Sequence, residues 1–328
     1  MEKAISARSG LFTKLMSIKE NRWIERLLPV AILAVLAVIF TVTTNGRFAT
    51  QKNIKIIMDQ SLIVATVATG ASFIYGSGNV NIAMGACTAL TATVAAKVYL
   101  ATESVITMVA SALFFGVFLM TVCALLSTIF NVRVMFVTIV MMVLLANIKA
   151  VILKGESIAF PYELISALQR SNISYIIFGA YFVFCYIIFH HTKVGRAIRF
   201  VGSNEVCSEQ TGISPKKWLM VAFLISGIGV GLGAFLVIIR SGTITSSTVG
   251  SLNMDCMLAI VLGGMPIYGG SRSRSYAALI GAMTVSVLNN GLLMMGVDAT
   301  VLQGVRGLLF LILVLAGSER PELLPSRE

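Results

Sequence analysis

The stretch HHTKVGRAIRFVGSNEVCSEQTGISPKK, His190 to Lys217, is an organised polar island between long apolar runs. Hydrophobic segments flank it on both sides, and it is rich in Lys and Arg. Stretches of about 20 apolar residues recur along the rest of the chain, which is the signal of membrane-spanning helices. The chain has 328 residues, of which 57% are hydrophobic and 12% charged. Soluble domains carry roughly 25% charged residues. The composition therefore predicts an all-α integral membrane protein without a soluble domain. Its long polar stretches, residues 1–27 and the island, are too short to enclose a sizeable core.

Ten apolar segments can be drawn: 28–44, 54–75, 80–100, 105–130, 134–153, 172–190, 217–239, 254–268, 275–296 and 299–317. Each approaches the length a helix needs to cross about 30 Å of hydrocarbon. The implied organisation is an N-terminal segment 1–27, a transmembrane region 28–317 with the island as a loop at 190–217, and a tail 318–328. An even number of crossings places both termini on one side. The net charge is +11. Most Lys and Arg fall in the N-terminal segment, the island and the loops on that same side, so the positive-inside rule predicts cytoplasmic termini. It also explains the positive charge through membrane lipids rather than nucleic acid, for which no reading module is present. Residues 30–43 show no clear small-residue cleavage site, so the first helix is expected to be retained.

Two places break the apolar pattern: Gly76-Ser77-Gly78-Asn79-Val80-Asn81 and Gly263-Gly264-Met265-Pro266-Ile267-Tyr268-Gly269-Gly270. Irregular backbone at membrane depth is tolerated when buried in protein or lining a wet cavity. Paired broken helices point to a translocation path. The alternative for each is a plain turn at the membrane surface, which Arg272 and Arg274 favour for the second. Both breaks contain Ile-Tyr-Gly, but three residues running in the same direction do not establish an internal repeat. The glycines Gly227, Gly229, Gly231 and Gly233 lie inside an apolar helix with no preceding strand, which suits close helix packing and not phosphate binding.

The chemistry of an enzyme is missing. There is no GxxxxGK loop ending in Ser or Thr, no HExxH and no GxSxG. His190 and His191 are adjacent and point to different faces of a helix, a poor geometry for a shared metal. No catalytic residues and no metal site are predicted. Five scattered cysteines form no disulfide framework. Ionisable groups at membrane depth must face protein or water. Arg306 is therefore expected either to pair with Asp255 or Asp298 or to reach the surface. Polar residues that can line a path are Asn79, Asn81, Thr245, Ser246, Asn253, Asn289 and Asn290. The asparagines can equally be interhelical hydrogen-bond partners.

The order and spacing of several short motifs resemble the permease subunit of bacterial ABC importers of the ribose-transporter type. They are His190-His191-Thr192, Gly195-Arg196, Gly202-Ser203-Asn204-Glu205 and Gly212-Ile213. Then come Asp255, Leu262-Gly263-Gly264, Gly269-Gly270, Leu279-Ile280-Gly281-Ala282 and Leu288-Asn289-Asn290-Gly291-Leu292. Arg133-Val134 and Val140-Met141-Met142 also fit. The resemblance runs from about Asn45 to Ala316.

It implies a bundle of about ten helices, some of them broken, in the bacterial inner membrane. The bundle would work with a second permease copy or paralogue. ATP and Mg would be held by a separate ATPase subunit, and a periplasmic or lipid-anchored binding protein would deliver a sugar or similar solute. The ATPase-coupling residues carried over are Gly195, Arg196, Asn204, Glu205, Gly212 and Ile213, with a coupling helix inside 204–213. Asn204 is a good N-cap and Gly212 a good helix stop. This chain departs from the pattern at Ser203, Cys207 and Ser208, at Asn81 in a usually acidic position, and at Ser271 to Ser275. The alternative of another class is an ion-coupled secondary transporter, which normally needs more deep ionisable groups than this chain has.

Overall fold

A computed structural model of the chain describes residues 22–266 and 268–317. The expected tail, most of the N-terminal segment and Ile267 lie outside these residues. The main helices are α1 (Arg22–Thr43), α2 (Gln51–Gly76), α3 (Met84–Thr102), α4 (Val105–Phe130) and α5 (Val134–Leu153). They are followed by α6 (Tyr162–Arg170), α7 (Ile173–His191), α8 (Lys193–Ser203), α9 (Glu205–Gln210) and α10 (Pro215–Ser241). The chain ends in α11 (Leu252–Leu262), α12 (Tyr276–Met294) and α13 (Ala299–Gly317). Seven of these, α2, α3, α4, α5, α7, α10 and α12, are long and apolar enough to cross a membrane. The fold is an all-α, multi-pass membrane bundle. Two-residue strands β1 (Ile158–Ala159) and β2 (Thr243–Ile244) pair antiparallel and tie two loops together.

The segment expected over 254–268 is corrected. Its helix, α11, has 11 residues and spans about 16 Å at 1.5 Å per residue. It stops where Gly264 takes a φ of 84° and where Pro266 has no amide hydrogen to continue a helix. The polar island also departs from a simple loop, since it folds into α8 and α9.

Between helices in lipid there is little hydrophobic driving force, so close packing has to supply the association. α10 sits at the centre and shows how. Gly227 and Gly231 meet α4: a Cβ on Gly231 would stand 2.7 Å from the Ala112 carbonyl oxygen and 2.8 Å from Leu113 Cα. Gly229 and Gly233 instead meet α2 at Thr66 and Val67. Gly263 and Gly281 bring α11 and α12 together, where a Cβ would strike the Ala277 and Ala259 carbonyls. On the outside, Phe114, Ile129, Val140, Val151, Ile176 and Leu311 are exposed, a large apolar surface of the kind that meets a membrane or a partner.

Candidate functional site

The island presents a capped helix to solvent. The Asn204 side chain accepts a hydrogen bond from the Cys207 amide at 3.0 Å and so caps α9. At the other end Gly212 takes a φ of 81°. The Gly212 amide donates to the Glu209 carbonyl at 3.0 Å, and the Ile213 amide to the Ser208 carbonyl at 2.9 Å. This is the paired hydrogen bonding of a Schellman stop. Glu205, Val206, Cys207, Glu209 and Gln210 are exposed, while Ser208 is buried. Of the other coupling candidates, Arg196 is exposed and Ile213 half-buried. Gly195 is buried against α7, where a Cβ would strike the Phe189 carbonyl. Its part is to let α8 lie against α7.

Both breaks meet the base of this helix. The Gly270 amide donates to the Gly76 carbonyl at 3.2 Å, and the Ser271 amide donates to Ser203 Oγ at 3.0 Å. A Cβ on Gly202 would collide with the Gly76 carbonyl and stand 2.8 Å from the Gly270 nitrogen. Three backbones thus converge with no room for a side chain. The second break lies at the α8 end of the bundle. From the first break the chain leads back into the bundle. Asn81 is buried, accepts from the Ala83 amide at 2.8 Å and donates to the Met120 sulfur at 3.6 Å. Asn79 bonds Ser77 at 3.2 Å.

A buried polar network links the last three helices. Arg306 Nε lies 3.3 Å from Asp255 Oδ1 and donates to Asn289 Oδ1 at 2.9 Å. Asn289 donates to Asp255 Oδ1 at 3.2 Å, and Ser251 Oγ to Asp255 Oδ2 at 3.0 Å. Asp298 is exposed beside the start of α13 and stands apart from this network. Asn290 is buried next to Asn289. Asn253 accepts from the Gly85 amide, joining α11 to α3. Thr245 and Ser246 belong to a loop held by the buried Lys149, whose Nζ donates to the Ser246 carbonyl at 2.6 Å and the Thr248 carbonyl at 3.3 Å.

A cavity of about 400 Å³ opens between α2, α10, the 242–251 loop and the start of α11. Its polar lining is Gln60, Arg240, Ser241, Thr248, Ser251 and Asp255. A second cavity of about 270 Å³ adjoins it and shares Ile63 and Arg240. Both lie near the end of α10 opposite α9. Of the residues singled out in the sequence, Asp255 alone lines the larger cavity. Gln60 and Arg240 carry no motif, since each stands in or beside an apolar run, whereas Ser251 belongs to the Ser- and Thr-rich stretch 241–253. The signal that could have found Arg240 is the cost of a charge at membrane depth. Among the described residues no group of three His, Cys, Asp or Glu is placed to hold a metal ion.

Residues 53–315 match the family described as "Branched-chain amino acid transport system / permease component". The chain is 26% identical to the ribose import permease protein of Escherichia coli over 300 residues, covering 89% of this chain and 92% of that protein. It is 22% identical to the galactofuranose transporter permease protein of Escherichia coli, covering 80% and 79%. It is 29% identical to the autoinducer 2 import system permease protein of Salmonella paratyphi B, covering 52% and 54%. No solved structure matches the chain. With a family match across most of its length and the membrane bundle that such a subunit requires, the chain belongs to this permease-component family, as the membrane-spanning permease subunit of an ABC importer.

Proposed function

We propose that this permease forms the translocation path for a sugar or similarly small polar solute, together with a second permease copy or a paralogue. ATP and Mg are bound and hydrolysed on a separate ATPase subunit. A periplasmic or lipid-anchored binding protein delivers the solute, and both termini are cytoplasmic. The observation that carries the reading is α9, a two-turn helix fixed at both ends and exposed along most of its length. It rests on a junction to which both broken segments connect. Lys193, Arg196, Lys216, Lys217 and Arg272 are exposed at the same end, as a cytoplasmic face requires. The imported solutes in the names of the relatives, ribose and galactofuranose among them, support a sugar over the amino acids of the family description.

The test is copurification of the solubilised chain with its native partners, comparing wild type with Glu205→Lys and Gly212→Pro. Proline is fixed near φ −65°, so it cannot adopt the left-handed stop at position 212. An ATPase is expected with wild type and should be lost from both variants. If the variants retain it undiminished, α9 is not the dock. If no ATPase associates and uptake follows an ion gradient, the ion-coupled reading replaces this one.

A further inference from the structure

We propose that the cavity of about 400 Å³ between α2, α10 and α11 is the solute site, and that it takes a neutral, polyhydroxylated molecule of sugar size. The inference deepens the importer reading and rests on it. The volume falls within the roughly 300–1,000 Å³ usual for small-molecule sites. Its place also fits: α10 runs 27 residues, about 40 Å, from the α9 end to Arg240 and Ser241 at the cavity. A solute delivered from the side opposite the ATPase would arrive here first. The smaller cavity, lined by Lys55, Asp59 and Gln169, adjoins it through Arg240.

The ligand class follows from the lining. The Gln60 amide both donates and accepts, while Ser241 and Ser251, whose protons go to the Val237 carbonyl and Asp255, keep hydroxyl oxygens that accept, which suits a solute's hydroxyls. Ile63, Val64, Val237 and Leu252 supply an apolar wall for the C–H face of a ring. The two ionic side chains, Arg240 and Asp255, are of opposite sign. A zwitterionic amino acid would need Asp255 free to receive its ammonium group. That carboxylate is already matched by Arg306 at 3.3 Å and accepts from Asn289 and Ser251. Arg240 in turn shares the smaller cavity with Asp59. With a protein counter-charge near each ionic group, a neutral solute leaves no charge unmatched.

The experiment uses whole cells carrying the complete transporter in a Cys207→Ser background. Ser251→Cys and Thr248→Cys place thiols in the cavity, and Ser286→Cys places one in buried α12 outside its lining. A membrane-impermeant methanethiosulfonate is added outside, and uptake of labelled D-ribose and L-leucine is measured. The expected result is modification at 248 and 251 but not at 286, with D-ribose uptake falling at least about tenfold and no L-leucine uptake at any stage. Arg240→Gln should raise the D-ribose concentration for half-maximal uptake by about tenfold, the loss of one charge-assisted hydrogen bond.

If the thiols at 248 and 251 stay unreactive, or react with uptake unchanged, the cavity is not the solute site. If L-leucine is carried, or the wild type carries no D-ribose, the ligand class is wrong. Blocked D-ribose uptake in a chain that binds no ATPase would uphold the cavity and overturn the importer reading, so the two failures remain distinct.

Discussion

Arg306 and Asp255 show what one residue can decide inside a membrane bundle. Each is buried, and each is satisfied through the other and through Asn289. Removing one partner leaves an uncompensated buried charge, which costs about 3–5 kcal/mol. Arg306→Met is therefore expected to lower the thermal unfolding midpoint in detergent sharply, and adding Asp255→Asn should recover part of the loss. Unchanged unfolding of the single variant would mean that the pair contributes nothing. The sequence requires that Arg306 either find a partner or reach the surface, because the cost of a lone charge is local and general. It left Asp255 and Asp298 as alternatives, since the choice depends on where α11 and α13 lie. Asn204 was different: a cap acts on amides within its own turn, so its role was legible without tertiary information.

At the scale of elements, α10 and α11 separate what pattern reading can and cannot find. The four alternate glycines of α10 were legible as packing residues, and they meet α4 on one side and α2 on the other. Gly231→Leu should force α4 and α10 apart, costing at least about 1–3 kcal/mol, and should sharply reduce folded protein on size-exclusion chromatography. Gly304→Ala, where nothing lies within 4 Å of the added Cβ, should be neutral. Equal yields from both would remove the argument for close approach. The segment drawn over 254–268 runs past the helix, which ends at Leu262, where the break at Gly263 to Gly270 begins.

At the scale of the molecule, the Gly76, Gly202 and Gly270 backbones join α8 to both breaks. A displacement of α8 is therefore expected to reach the end of α2 and the segment between α11 and α12, because the contacts at Gly76, Gly202 and Gly270 are between backbones. Gly202→Ala is expected to leave ATPase binding intact while reducing uptake at least about tenfold. Copurification and uptake measured on the same membranes would check it, and normal uptake would show that the junction carries no motion. The exposed apolar faces of α4, α5 and α7 are free for lipid or for a second permease.

The amino-acid sequence by itself determined the membrane class, the course of most helices and the capped helix in the island. Those properties follow from hydropathy and from hydrogen bonds between residues close in the chain. Tertiary structure alone decided which carboxylate Arg306 meets, that two distant breaks share one junction, and that Gln60, Arg240 and Ser251 surround one cavity. Each of these depends on the relative placement of helices far apart in sequence. That placement is set by backbone contact at glycines, which a linear pattern marks as possible but does not pair.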